Sequence, residues 1–249
     1  MVETMSKRAV DGRFTLPDTI IVMPAFNEGQ VIGSVIREIR ELCDLPVLVV
    51  DDASADDTVF MAESAGATVI TLPVQLGAWG ATQTGLRYAL RHNFECVISM
   101  DADGQHEARC LYELAKPVWE GEADVCIGAC TSRGSPLRKF AWILMKKASG
   151  LSLEDITSGL RVYNRRATIE LAGWRATLLD YQDIGVLLLL QSRGLRIADV
   201  QVEMRPRLNG PSRVFRSWLL VAYYMCHTLL LGFTKRKMIR VSDRTAQAG

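Results

Sequence analysis

The chain has 249 residues, a 49% apolar share and a formal net charge of +1. That length holds one large α/β domain or two small ones, and the apolar share excludes a disordered chain. A net charge near zero argues against a nucleic-acid binder working through bulk charge. The charge is unevenly spread. From residue 205 onward Arg205, Arg207, Arg213, Arg216, Lys235, Arg236, Lys237, Arg240 and Arg244 face a single acid, Asp243. A tail both basic and apolar points to a membrane surface or an anionic substrate. Cys43, Cys96, Cys110, Cys126, Cys130 and Cys226 form no C-x-x-C and have no His at zinc-site spacing, so they read as reduced core thiols of a cytoplasmic protein. Residues 1–13 are polar and mixed in charge, and no signal peptide is expected there.

In chain order, Thr19 to Met23 predicts a buried strand ended by Pro24. Val31, Ile32, Val35, Ile36 and Ile39 recur at helical spacing over residues 29–41. Residues 45–50 predict a second buried strand, ending in Asp51 and Asp52. Asp56 or Asp57 then caps a helix running to about Ala65, closed by Gly66. Residues 68–72 predict a third strand, and 80–91 a helix opened by the loop Gly77-Ala78-Trp79-Gly80. The apolar run 96–100 follows and delivers Asp101-Ala102-Asp103 into a loop. Beyond it come a helix over 108–116 stopped by Pro117, a strand over 123–129 and a basic amphipathic helix over 137–149. A short strand over 158–163, an apolar helix over 183–192 and a strand over 195–204 complete the pattern. Strand and helix alternating in this way predict a mostly parallel sheet covered on both faces. Residues 218–233 are almost wholly apolar, yet short for the roughly 20 residues of a span and flanked by Arg and Lys. They predict an interfacial helix on anionic lipid.

The chemistry concentrates on Asp101 and Asp103. Continued strand alternation would send both carboxylates to one side, where they repel unless a cation lies between them. An all-oxygen donor set favours Mg²⁺ or Mn²⁺, which keeps waters and completes its shell with substrate phosphates. Taken alone, D-x-D is equally the signature of a solvated turn.

Several short motifs in order carry a resemblance. They are I-V-M-P-A-F-N-E (21–28), V-V-D-D-A-S-A-D-D-T (49–58), G-A-W-G-A-T-Q-T-G (77–85), M-D-A-D-G-Q-H (100–106), D-I-T-S-G-L-R-V-Y (155–163) and the run from Ile197 to Arg213. Over roughly residues 18 to 215 the chain resembles family-2 glycosyltransferases of the GT-A fold, in the branch of polyprenyl-phosphate sugar transferases typified by dolichyl-phosphate mannose synthase. The resemblance implies a Rossmann-like α/β domain over 18–212; the apolar run and its basic flanks add a membrane-associating segment over 213–240, with tails at 1–17 and 241–249. It implies a metal-dependent, inverting transferase at the cytoplasmic membrane face, peripheral or monotopic.

By the same resemblance Pro24, Phe26, Glu28, Val50, Asp52, Asp101, Ala102 and Asp103 line the nucleotide, with Glu28 near the ribose and the Asp52 carboxylate accepting from the base. Asp101, Asp103 and Gln105 hold Mg²⁺ or Mn²⁺. Arg161, Arg207, Ser212 and Arg213 approach an acceptor phosphate. An Arg that the branch places soon after Cys130 is missing, and Arg133 or Arg138 takes its role. Asp183 stands where the branch often has Glu, and is the candidate base for a hydroxyl acceptor. The partners implied are a nucleoside-diphosphate sugar, a polyprenyl phosphate or other lipid-linked acceptor, an anionic membrane surface and a small membrane partner subunit, with no nucleic acid. Two alternatives stand beside this reading. One is a transferase extending a lipid-linked saccharide or exopolysaccharide. The other is a non-catalytic membrane or signalling module, because phospho-receiver domains also gather acids at strand ends.

Overall fold

The computed structural model describes residues 13–130, 153, 158–179 and 184–205. The chain alternates β1 (Thr19–Ala25), α1 (Ile32–Leu42), β2 (Val47–Asp51), α2 (Thr58–Ser64), β3 (Thr68–Thr71), α3 (Gly77–Arg91) and β4 (Cys96–Ser99). A 3-10 turn (Ala108–Cys110) leads into α4 (Leu111–Trp119) and β5 (Val125–Ala129). After them come β6 (Arg161–Asn164), α5 (Arg165–Ala172), α6 (Trp174–Thr177), α7 (Ile184–Ser192) and β7 (Ile197–Gln201). The described strands form one sheet in the order β3-β2-β1-β4-β6-β5-β7. Within it β6 runs antiparallel to β4 and β5, and the other pairs are parallel.

Both faces are covered, which is why the central strands are apolar throughout rather than alternating. Ile21, Met23, Val47, Val49 and Ile98 pack on one side with Ile32, Val35, Ile36 and Ile39 of α1 and Leu111 and Leu114 of α4. Ile20, Val22, Leu48, Val50 and Val97 face the other side, with Leu86 of α3 and Leu187 and Leu190 of α7. The α3 helix lies close to β1. A Cβ on Gly85 would fall 2.2 Å from Val22 Cγ1, so the glycine is what permits this packing.

Local differences from the sequence expectation have physical reasons. β1 does not stop at Pro24 but runs to Ala25, with Pro24 opposite Val50. The Val22 carbonyl accepts from Met100 N on the β4 side, and Pro24, two residues on, faces that side too. There β4 has already ended, so the missing proline N–H forfeits no ladder bond. Likewise α4 passes through Pro117 to Trp119, continued by Glu120 N donating to Lys116 O. Helix α3 opens at Gly77 rather than Gly80. The predicted helix over 137–149 and the apolar run 218–233 lie outside the described residues, as do Arg133, Arg138, Asp183, Arg207, Ser212 and Arg213.

Candidate active site

Because β2, β1 and β4 lie side by side and parallel, their C-terminal ends open on one edge, where open α/β sheets bind ligands. The loop after β1 carries Phe26 and Glu28, the loop after β2 carries Asp52, and the loop after β4 carries Asp101 to Gln105. A separate hollow of about 420 Å³ lies at the opposite edge, lined by Asp18, Glu95, Trp119, Asn164, Arg165 and Arg166. It contains none of the predicted site residues.

The first two loops are laced to each other. Asn27 N donates to Ser54 Oγ (2.8 Å) and Ala55 N donates to Asn27 Oδ1 (2.8 Å). Glu28 N donates to Thr58 Oγ1 (2.8 Å), and Gly29 N to Asp56 Oδ2 (3.1 Å). Asn27 and Ala53 both adopt positive φ, 53° and 60°, to make the turns. Asn tolerates that region, whereas for Ala it stores strain that the cross-loop bonds hold in place. Burial opposes ionisation of Asp56, but bonds from the Thr58 hydroxyl and the Gly29 and Thr58 N–H groups outweigh it and hold its carboxyl below the ordinary value. Asp57 occupies the cap position of α2 without a side-chain cap bond. Asn27, Ser54, Asp56 and Thr58 are therefore motif residues that shape the pocket.

Asp52 is 2% exposed. Its Oδ1 accepts from Leu76 N (2.6 Å) and its Oδ2 from Gly77 N (2.9 Å), at the start of α3. An anion at a helix N-terminus satisfies two otherwise orphaned donors and complements the dipole. A carboxylate has roughly four acceptor positions, so this role leaves room for one more donor. Val50 is wholly buried in the core on the α3 side, Ala102 is buried on the opposite side, and Pro24 and Phe26 are half-buried. Glu28 is 8% exposed, and its carbonyl accepts from Val31 N and Ile32 N to open α1.

In the third loop the strand ends at Ser99, so the alternation expected of Asp101 and Asp103 does not apply. Instead the chain turns. Asp103 is 7% exposed and its Oδ1 accepts from Gln105 N (3.1 Å), while the Asp101 side chain is 46% exposed. Two observations mark Asp101 as a group whose surroundings are shaped for it. A Cβ on Gly159 would lie 2.2 Å from its Oδ2, so bare backbone is pressed against the carboxylate. His106 Nε2 lies 3.4 Å from the same oxygen, on a ring 1% exposed whose nitrogens make no hydrogen bond among the described residues. Among the described residues, no three His, Cys, Asp or Glu side chains converge as a closed metal cage. Asp101, Asp103 and Gln105 share this one loop and offer only oxygen donors, a chemistry that fits a hard cation whose remaining ligands are waters and phosphate.

Arg161, expected at an acceptor phosphate, is wholly buried. It pairs with Ser99 and Ile127 in the interior strand β6, and its Nε donates to Ser158 O (2.9 Å).

The family model for glycosyl transferase family 2 matches residues 20–173. The chain belongs to that family. A polyprenol monophosphomannose synthase of Mycolicibacterium smegmatis is 29% identical over 164 residues, 59% of this chain and 62% of the relative. An undecaprenyl-phosphate mannosyltransferase of Micrococcus luteus is 27% identical over 213 residues, 78% of this chain and 86% of the relative. Among solved structures, glucosyl-3-phosphoglycerate synthase from Mycobacterium tuberculosis, crystallised with Mn²⁺, UDP and glucosyl-3-phosphoglycerate, superposes with a TM-score of 0.66 at 24% identity, over 87% of this chain and 79% of that one. The expected GT-A fold is borne out. The chain is thus a glycosyltransferase, and the signalling-module and scaffold readings fall away.

Sequence reasoning missed the helices α5 and α6. Trp79, Gln83 and Arg87, successive turns of α3, hold them by donating to the carbonyls of Ala176 (2.8 Å), Leu171 (2.7 Å) and Ala172 (3.0 Å). The available signal was Asn164, whose side chain caps α5 by accepting from Ala167 N (2.9 Å), with Gly173 at the other end.

Proposed function

We propose that this family-2 glycosyltransferase is a metal-dependent, inverting enzyme that moves a sugar from a nucleoside-diphosphate sugar to a polyprenyl phosphate at the cytoplasmic membrane face. The observation that carries the metal and donor side is the Asp101–Asp103 turn, at the edge where three parallel strands end, with Gly159 bare against Asp101. The names of the Mycolicibacterium and Micrococcus relatives support the acceptor class. The Mn²⁺ bound to the Mycobacterium synthase supports a divalent ion, Mg²⁺ or Mn²⁺.

In this reading Asp101, Asp103 and the Gln105 amide hold the cation, which when bound neutralises the charge that develops on the departing nucleoside diphosphate. An acceptor phosphate oxygen bonds to the sugar's anomeric carbon as that carbon's bond to the diphosphate breaks. The electron pair leaves on the diphosphate, and the anomeric configuration inverts. The acceptor phosphate needs no general base, since its second pKa is about 6 and its oxygen already carries charge near neutral pH. Pro24, Phe26 and Glu28 line the nucleotide, with Glu28 near the ribose, and Asp52 meets the base. Arg207, Ser212 and Arg213, with Arg133 or Arg138, are assigned to the acceptor phosphate by their sequence motif. Among the described residues no helix is long and apolar enough to cross a membrane. The anchor assigned here is the apolar run 218–233 with its basic flanks.

A donor screen tests the whole. Purified protein, polyprenyl phosphate and Mn²⁺ are incubated with GDP-mannose, UDP-glucose and UDP-N-acetylglucosamine, and lipid-linked sugar is measured. Asp103→Asn should abolish transfer and weaken Mn²⁺ binding. Undiminished turnover in that variant would demote the Asp101–Asp103 turn to a structural loop.

A further inference from the structure

We infer that Glu38 and Arg205 are positioning residues for the metal-binding loop, acting on it from outside the site; the inference rests on the metal reading above. The loop from Asp101 ends at Glu107, and its exit is gripped from two directions. On one side, Arg205 N donates to Gln105 O (2.8 Å), and His106 and Met204 form an isolated antiparallel bridge. The backbone of a predicted metal ligand, Gln105, is thereby tied to the segment after β7.

On the other side stands Glu38, on α1. Its Oε2 accepts from Arg205 Nη1 (2.6 Å) and its Oε1 from Arg205 Nη2 (3.1 Å), a two-point fork. The same Oε1 accepts from Ala108 N (3.3 Å), the first residue beyond the loop. Arg205 Nε also lies 3.6 Å from Glu107 Oε1, and Arg109 bridges Glu107 to Glu203. One carboxylate on a rigid helix thus holds the residue that ties Gln105 and the first residue beyond the loop.

The chemistry explains why these groups were selected. A planar guanidinium facing a carboxylate fixes direction as well as distance, which a lysine would not. The Glu38 and Arg205 side chains are 28% and 46% exposed, so their pairing adds little to global stability. Its contribution is geometric. Groups that orient metal ligands from behind typically change metal affinity by about ten- to a hundred-fold when removed. Neither residue is among the predicted cation or nucleotide-sugar residues.

The test uses the full-length protein with UDP and Mn²⁺, free Mn²⁺ being counted by electron paramagnetic resonance. Glu38→Gln and Arg205→Met are each expected to weaken Mn²⁺ binding about ten-fold, with thermal midpoints within about 2 °C of wild type. The double variant should be no worse than either single one, because the pair acts as a unit. Amide exchange at Met204, Arg205 and Gln105 to Glu107 should quicken in each variant.

Unchanged Mn²⁺ affinity in both variants overturns the inference. So does a loss that tracks a large fall in thermal midpoint, or one that adds fully in the double variant. If wild-type protein binds no Mn²⁺ with UDP, GDP or either nucleotide sugar, the metal reading itself fails. Amide exchange then decides whether the grip on the loop exists, and unaltered exchange overturns that as well.

Discussion

Asp52→Ala separates the two roles available to the most buried of the predicted site carboxylates. In the folded chain both Asp52 oxygens accept backbone N–H groups, from Leu76 at 2.6 Å and Gly77 at 2.9 Å. Bonds to a charged group contribute about 1.5–3 kcal/mol each, and loss of a helix cap about 0.5–2 kcal/mol; these overlap, so a total near 2–4 kcal/mol is expected. For a chain of this size each kcal/mol moves the midpoint by about 2–4 °C, which predicts a fall of roughly 5–15 °C. Asp52→Asn should fall about half as far, since its remaining carbonyl oxygen keeps one bond while its amide NH₂ opposes the second donor. Melting curves give the first readout. Donor titration, at a temperature where all variants are folded, gives the second. If the carboxylate also meets the base, Asp52→Ala weakens donor binding roughly ten- to a hundred-fold beyond the stability effect. An alanine variant melting within 2 °C of wild type would refute the capping argument.

Two further predictions follow from the same geometry. Gly159→Ala places a Cβ against Asp101 Oδ2, where the present separation would be 2.2 Å, so the carboxylate must turn away; Mn²⁺ affinity and turnover should fall at least about ten-fold, measured by spin resonance and product formation. Burial opposes ionisation of Asp124, yet the Arg196 N–H, the Asn164 amide and the Arg196 guanidinium outweigh it and hold the carboxyl below its ordinary value. Because its folded-state value is depressed, its stabilising contribution is complete above about pH 4–5 and is lost as pH falls through the lower folded-state value. The stability gap between wild type and Asp124→Asn in urea titrations should therefore shrink from pH 5 to pH 3, and a gap constant over that window would contradict the assignment.

How much could be read without the structure depended on how local each cause was. The buried runs at Val47–Val50 and Cys96–Ser99 are parallel central strands because both faces are covered, and a continuous apolar run says so directly. The thiols of Cys43, Cys96 and Cys126 behaved as their apolar neighbours implied, with burial pushing them up to about 11, about 12 and about 12. The burial of Arg161 was not legible in the sequence because it depends on β6 inserting antiparallel between β4 and β5, which no local pattern encodes. α5 was missed because few of its residues are buried, Ala167, Thr168 and Leu171, and that stripe is too thin to register as a period. The role of Asp52 at the start of α3 was not foreseen, for a chemical reason. A carboxylate accepts equally well from a nucleobase and from a helix N-terminus, and both lie at a strand end.

The match to the family model stops at residue 173, whereas Asp183, Arg207, Ser212 and Arg213 lie beyond it. In the proposed reading these residues serve the acceptor, and Asp183 is the one whose chemistry discriminates. A hydroxyl acceptor must lose its proton as it attacks, and a positioned base contributes about 10²–10⁴-fold to such a step. An acceptor phosphate oxygen carries no proton to remove near neutral pH, given a second pKa of about 6. Asp183→Asn should consequently leave transfer to polyprenyl phosphate within about three-fold of wild type above pH 7, since proton removal is then no part of the reaction. Measured at saturating donor against both polyprenyl phosphate and a lipid-linked saccharide, the variant distinguishes the two acceptor classes. Loss of 10²-fold or more with the saccharide, alongside feeble wild-type transfer to the phosphate, would move the enzyme to the saccharide-extending class.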